Sequence, residues 1–229
     1  ELQGVSFSAA MHSLILMDRN HQPLTRAITW ADNRAAKYSN ELKANGLGHE
    51  IYQHTGTPIH PMAPLSKIIW LRHEQPDLFK QAAQFIDIKT YVFQKLFHTY
   101  KMEYSIASAT GLFNIFNLDW DQQALEVAGI TRDQLPELVE PTAQITGLDT
   151  TYSQETGISS DVPFIFGASD GVLSNLGVNA IDPGVLAVTI GTSGAVRVVV
   201  DKPVVDPNGR LFCYALTKDK WVVGGPVNN

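Results

Sequence analysis

Asp170 stands where a carboxylate could work as a base. It follows the apolar run Pro163-Phe164-Ile165-Phe166 and the turn residues Gly167-Ala168-Ser169, and it precedes a small-residue segment, 171–178, patterned for a helix. In α/β folds, side chains just past the carboxyl end of a strand face the ligand crevice. A helix N-terminus also favours the ionised carboxylate, the form that accepts a proton. The same position suits a helix cap, with Ser169 or Asp170 satisfying the first N–H groups. Local sequence leaves both roles open.

Four other groups carry polar chemistry. Gly191-Thr192-Ser193-Gly194 could cradle a phosphate, since glycines allow close backbone approach and successive N–H groups form an anion nest. It lacks the Gly-Lys-Ser/Thr ending of a Walker A loop, and an ordinary hairpin tip is its other reading. Met11-His12 lies between two strand-like runs, where His12 could meet a polyol hydroxyl or a carboxylate, or serve as a hydrogen-bonded structural histidine. Trp30 could stack on a sugar with Asp32 and Arg34 positioning its hydroxyls; equally, Asp32 and Arg34 could pair at a helix entrance. Lys67 precedes the apolar Ile68-Ile69 and reads as a solvated helix residue.

The elements that must position these groups follow from periodicity and punctuation. Residues 4–8, 13–17 and 27–30 read as strands. A helix is expected from an Asn33 cap to a stop at Gly46. Pro64 opens a second helix with Leu65, Ile68, Ile69 and Leu71 on one face. Further helices are expected over 89–97 and 122–128, the latter ended by Gly129. Residues 163–166 form a buried strand and 171–178 a helix. Asp182-Pro183-Gly184 marks a turn and a candidate boundary. Beyond it, 185–190 and 195–200 make a hairpin around the Gly-Thr-Ser-Gly tip.

Composition narrows the function classes. With 229 residues, 44% hydrophobic and 17% charged, the sequence supports a folded core. A net charge of −6 argues against a nucleic-acid or anionic-membrane surface. Cys213, the single cysteine, excludes an internal disulfide and fits a reducing, cytoplasmic setting. No apolar stretch approaches the ~20 residues of a membrane span. The seven histidines are scattered, so no metal-ligand set is expected.

Taken together and in order, these segments resemble the FGGY family of carbohydrate kinases. Ser8-Ala9-Ala10-Met11-His12-Ser13 is similar to the family's Ser-Gly-Gln-Met-His-Gly stretch, and Trp30-Ala31-Asp32-Asn33-Arg34 to its Trp-x-Asp-x-Arg motif. Ala63-Pro64-Leu65-Ser66-Lys67 is similar to a segment that precedes a Leu-rich helix. Tyr104-Ser105-Ile106-Ala107-Ser108-Ala109-Thr110-Gly111-Leu112-Phe113-Asn114 resembles the family's Tyr-Ser-Asp-Ala-Ser-x-Thr-x-Leu-Phe-Asp block. Gly167-Ala168-Ser169-Asp170 and Ile190-Gly191-Thr192-Ser193-Gly194 resemble its catalytic-base and second phosphate motifs. Within the family, residues 27–34 and 55–62 look most like gluconate kinases. Three departures stand out: Ala9-Ala10 replaces Gly-Gln, Ile106 replaces a frequent Asp, and the N-terminal Asp-x-Gly-Thr phosphate hairpin is missing.

The resemblance implies an α/β, ribonuclease H-like fold of the actin/Hsp70 ATPase type, with two domains. Residues 1–182 would be a partial N-terminal substrate domain and 183–229 the start of an ATP-binding domain, so the chain is expected to be a central fragment, inactive alone. The implied reaction is ATP-dependent phosphorylation of the terminal hydroxyl of D-gluconate, with Mg²⁺ as the bridging ion. Asp170 would be the general base and Gly191, Thr192, Ser193 and Gly194 would hold the ATP phosphates. Met11, His12 and Trp30 would line the substrate cleft, with Lys67 or Arg34 as partner of the substrate carboxylate. Xylulose or another sugar, and a non-catalytic actin-like nucleotide- or sugar-binding module, remain alternatives. Small-molecule sugar acid and ATP are the expected partners, with neither nucleic acid nor membrane; a homodimer stays open.

Overall fold

The computed structural model describes residues 2–191 and 194–227. Thr192 and Ser193, two of the expected phosphate-loop residues, lie outside the described residues. Strand β1 (Val5–Ala9) alternates half-buried and exposed side chains, while β2 (Ile15–Met17) is buried throughout. The third expected opening strand, 27–30, is not one. Ile28 makes an isolated bridge to Leu14, and the chain then turns, because the Asp32 N–H donates to the Thr29 carbonyl.

Helix α1 (Ala36–Ala44) starts later than an Asn33 cap predicts. Asp32 accepts the Arg34 N–H at 2.9 Å, and this local turn delays the helix. Gly46 does follow the helix, but in the left-handed conformation it leads into α2 (Leu47–Thr55), which periodicity did not reveal. A Cβ on Gly48 of α2 would sit 2.7 Å from the Leu42 carbonyl oxygen, so a glycine there lets the two helices touch. Helix α3 (Pro64–Glu74) opens at its proline as expected, and α4 (Pro76–Gln81) follows at once. Strand β3 (Gln84–Ile86) pairs antiparallel with β2.

Three carboxylates then cap three helices. Asp87 accepts the Lys89 and Thr90 N–H groups at the start of α5 (Ile88–Phe97). After β4 (Lys101–Glu103), Glu103 caps α6 (Tyr104–Ser108). After the short strands β5 (Phe113–Asn114) and β6 (Asp119–Trp120), Asp121 caps α7 (Gln122–Ala128), which ends at Gly129 as expected. Strands β7 (Glu137–Val139) and β8 (Gln144–Ile145) and helix α8 (Thr150–Thr156) lead to β9 (Phe164–Ser169) and α9 (Asp170–Gly177). The hairpin is present as β10 (Leu186–Ile190) and β11 (Gly194–Val200), followed by β12 (Phe212–Ala215) and β13 (Trp221–Val227).

Two sheets matter for function. β9 lies between β1, to which it is parallel, and β8, to which it is antiparallel; the other sheet runs β10-β11-β13-β12, antiparallel throughout. The second sheet is locked to the earlier helices. The Cys213 N–H donates to Gly56 O at 2.9 Å, the Ala215 N–H to Ser108 Oγ at 2.9 Å, and Trp221 Nε1 to Ile115 O at 3.0 Å. Cys213, Ala215, Trp221 and Val223 share one apolar core with Leu65, Ile106 and Ile115. Burial pushes the Cys213 thiol up to about 11, so it acts as a small core residue.

The β1–β9 pairing depends on a glycine. Gly167 has φ +63°, and a Cβ there would lie 1.9 Å from the Phe7 carbonyl oxygen, where the register also slips between Ser6 and Ser8. Gly167→Ala is therefore expected to cost about 3 kcal/mol through backbone strain and a broken ladder, read as a lower urea midpoint.

Candidate active site

Parallel pairing brings two carboxyl ends side by side. Ala9 stands opposite Ser169, so the Met11-His12 loop and Asp170 leave the sheet at the same edge. Sequence left the cap and the base competing for this turn, and the structure gives the cap to one residue. Ser169 is the cap, its hydroxyl accepting the Val172 N–H at 3.4 Å. Asp170 is exposed, and its carboxylate accepts the adjacent Gly171 N–H at 2.7 Å. Among the described residues no ion pair involves Asp170.

The end of β9 is fixed from behind. The Ser169 N–H donates to Ser105 Oγ at 2.8 Å, and the Ser105 hydroxyl donates to the Glu103 carboxylate at 2.8 Å. Lys89 Nζ completes the chain, 2.7 Å from Glu103 Oε1 and 3.1 Å from the Phe166 carbonyl oxygen. Lys89 and Glu103 are both buried. Burial pushes the Glu103 carboxyl up from its usual range, and the Lys89 ammonium and Ser105 oppose that rise. Sequence analysis overlooked this set. The Tyr-Ser block around 104–114 drew attention for its Ile106, whereas its polar work is done by Glu103 and Ser105.

His12 sits in the left-handed region at φ 65° and is buried. Its Nδ1 lies 2.8 Å from the Ala109 carbonyl oxygen, which can only accept, so Nδ1 carries the proton. Burial, reinforced by Lys67, lowers its pKa to about 4. At neutral pH His12 is thus an uncharged ring whose Nε2 lone pair is an acceptor.

Lys67 is neither a solvated helix residue nor an open cation. It is 1% exposed, and its ammonium donates to the carbonyls of His12 at 2.6 Å, Thr29 at 2.8 Å and Ile28 at 3.2 Å. These contacts use its three N–H groups and tie the His12 loop to the Ile28-Thr29 turn. Burial lowers its pKa to about 8. Arg34 is likewise committed: Nη2 lies 2.6 Å from Asp32 Oδ2, and the guanidinium stacks over Trp70 at 4.4 Å. The bond to Arg34 also holds the Asp32 carboxyl below the usual range. Trp30 is 61% exposed, on the outer side of this turn.

A cavity of about 230 Å³ joins the rest. Met11 and His12 form one wall; Gly194, Ala195, Gly224 and Gly225 form another, at the base of the hairpin tip. Phe212, Tyr214 and Arg197 close it, three residues that sequence analysis did not single out. β12 is buried on both faces, with Cys213 and Ala215 in one apolar cluster and Phe212 and Tyr214 in another, and an apolar run of this kind does not say what each face meets. Arg197 reaches α9, donating from Nη1 to Ser174 Oγ at 3.2 Å. Of the expected site residues, the cavity thus gathers Met11, His12 and Gly194; Lys67 lies behind it, and Asp170, Trp30, Arg34 and Gly191 are not among its lining residues.

The His12 environment has a pH consequence. A neutral buried ring is favoured in the folded state, so its contribution is complete above pH 6.5 and is lost as pH falls towards about 4. Stability is expected to drop by about 3 kcal/mol over that window. His12→Asn, which keeps a donor towards Ala109, should flatten the acid limb of denaturation midpoint against pH.

Comparison with known proteins bears on the family and the fold. Residues 1–177 match the FGGY family of carbohydrate kinases, N-terminal domain. Over 98% of its length the chain is 55% identical to a gluconokinase of Bacillus subtilis (strain 168), covering 44% of that protein. Its structure superposes on a gluconate kinase from Lactobacillus acidophilus with a TM-score of 0.97 at 43% identity, covering 99% of this chain and 46% of that one. A ligand-bound xylulose kinase from the same organism gives the same figures. The chain therefore spans under half the length of the relatives it matches. The fold is the expected α/β one of the actin/Hsp70 ATPase type. With a shared fold, shared motifs and a family match over most of its length, this chain belongs to the FGGY family of carbohydrate kinases.

Proposed function

We propose that the protein carrying this chain transfers the terminal phosphoryl group of ATP to the end hydroxyl of D-gluconate, giving 6-phosphogluconate. The carrying observation is Asp170: a carboxylate without an ion pair among the described residues, at the carboxyl end of β9, beside the His12 loop. The 55% identity to a gluconokinase supports the choice of sugar acid. A neutral ketose such as xylulose is the second reading, supported by the ligand-bound xylulose kinase from Lactobacillus acidophilus, 43% identical to this chain.

Asp170 accepts the proton of the substrate hydroxyl as that oxygen attacks phosphorus, and the bond to the leaving ADP oxygen breaks. His12 Nε2 accepts a hydrogen bond from another substrate hydroxyl, and Met11 packs against Gly171 to close the apolar side. The residues at the hairpin fit a phosphate: side-chain-free Gly194, Gly224 and Gly225 leave the wall open to close approach. Gly191 and Gly194, with Thr192 and Ser193, would hold the outer phosphates there. Mg²⁺ would sit on the nucleotide phosphates, since it keeps water and phosphate oxygens as most of its ligands and needs only one or two protein carboxylates. Bound ATP and Mg²⁺ would supply the phosphoryl group and spread its charge. In this reading, the division into a substrate part and an ATP-binding part falls near Asp182.

No helix of the described residues is long and apolar enough to cross a membrane. Asp170→Asn in the full-length protein is expected to lower kcat by about 10²- to 10⁴-fold with little change in KM. Coupled ADP release with D-gluconate and with xylulose measures this, and the preferred substrate separates the two readings. Near-wild-type turnover would remove Asp170 from the role of base.

A further inference from the structure

We propose that the Arg197 guanidinium binds the carboxylate of an acidic sugar substrate, an assignment that rests on the sugar-kinase reading above. Arg197 projects from β11 into the cavity that Met11, His12 and Tyr214 line. Among the described lining residues it carries the one formal charge, because His12 stays neutral above about pH 4. A guanidinium offers five N–H donors in a planar fork suited to a carboxylate. Ser174 Oγ takes one of them at 3.2 Å, and among the described residues no ion pair involves Arg197. A half-buried cation without a counter-ion costs free energy that an anionic ligand offsets.

The neighbouring cations are already committed. Lys67 donates to three backbone carbonyls, Arg34 holds Asp32, and Lys89 holds Glu103. Sequence analysis expected Lys67 or Arg34 at the carboxylate; their geometry turns both to structural work and leaves Arg197 facing the cavity. Its position suits the task. Nη2 lies 3.6 Å from where a Gly171 Cβ would stand, so the guanidinium rests against the first turn of α9, near Asp170 but not paired with it. Burial raises the Tyr214 hydroxyl well above its usual range, while Arg197 draws it down and Asp170 pushes it up. A polyol chain lying along Tyr214 can offer a hydroxyl to Asp170 and an acid group to Arg197.

The test compares full-length wild type, Arg197→Met and Arg197→Lys by titration calorimetry and steady-state kinetics. The probes are D-gluconate and D-glucitol, in which an uncharged CH₂OH replaces the carboxylate. Arg197→Met is expected to weaken D-gluconate binding by about 10- to 100-fold, the range for losing charged hydrogen bonds. Glucitol binding should stay unchanged, and Arg197→Lys should fall between. Equal gluconate affinity in wild type and Arg197→Met would overturn the Arg197 assignment and leave the kinase reading standing. A fall in kcat at unchanged gluconate affinity would place the guanidinium on the transferred phosphoryl group instead, again overturning it. Wild type that binds no sugar acid would sink both the substrate reading and this one. If Arg197→Met does not fold, Arg197→Gln, which keeps a donor for Ser174, enters the same comparison.

Discussion

A buried ammonium–carboxylate pair holds the strand end from which the proposed base projects. Lys89 and Glu103 lie on α5 and at the end of β4, far from Asp170 in sequence, yet Lys89 bonds the β9 backbone at Phe166 and Glu103 reaches Ser169 through the Ser105 hydroxyl. Desolvating two charges is expensive, and such a pair persists when each remaining donor and acceptor is satisfied. Glu103 meets that condition, since it also accepts the N–H groups of Ser105 and Ile106 as the cap of α6. One carboxylate thus caps a helix, neutralises a lysine and sets where β9 stops. Asp170 owes its place to that stop.

A second clip works on the opposite side of the cleft. Lys67 gathers the carbonyls of His12, Ile28 and Thr29, holding His12 in a left-handed conformation that a non-glycine residue adopts at a cost. The nearby ammonium and the burial together keep the imidazole neutral, which turns a titratable side chain into a fixed hydrogen-bond acceptor. The cleft walls are accordingly built from spent charges, and the groups left facing the cavity are few. This economy gives Arg197 its electrostatic weight in a half-apolar space.

Local signals were legible where the chain's own chemistry decides the outcome. Pro64 opens α3, Gly129 closes α7, and the β10–β11 hairpin follows its two strand-like runs. Reading failed where a neighbour decides. Residues 27–30 have strand composition but find one bridge partner and then turn at Asp32. Helix α2 is short, fills its buried stripe of Gly48, Ile51, Tyr52 and Thr55 with only two large apolar side chains, and meets α1 closely at Gly48. Phe212, Tyr214 and Arg197 gave no signal, because a strand residue is informative only when the wall opposite it is known.

What the amino-acid order determined alone was the family and the turn that carries Asp170: a strand, a small-residue turn and a helix, whose caps and breakers act within a few residues. What the tertiary structure decided was the use of each charge. Lys67, Arg34 and Arg197 are all cations on paper, and Coulomb forces fall off with distance and dielectric, not with sequence separation. Partners up to 55 residues away turn Lys67 into a backbone clip, Asp32 neutralises Arg34, and Arg197 is left to face the cavity.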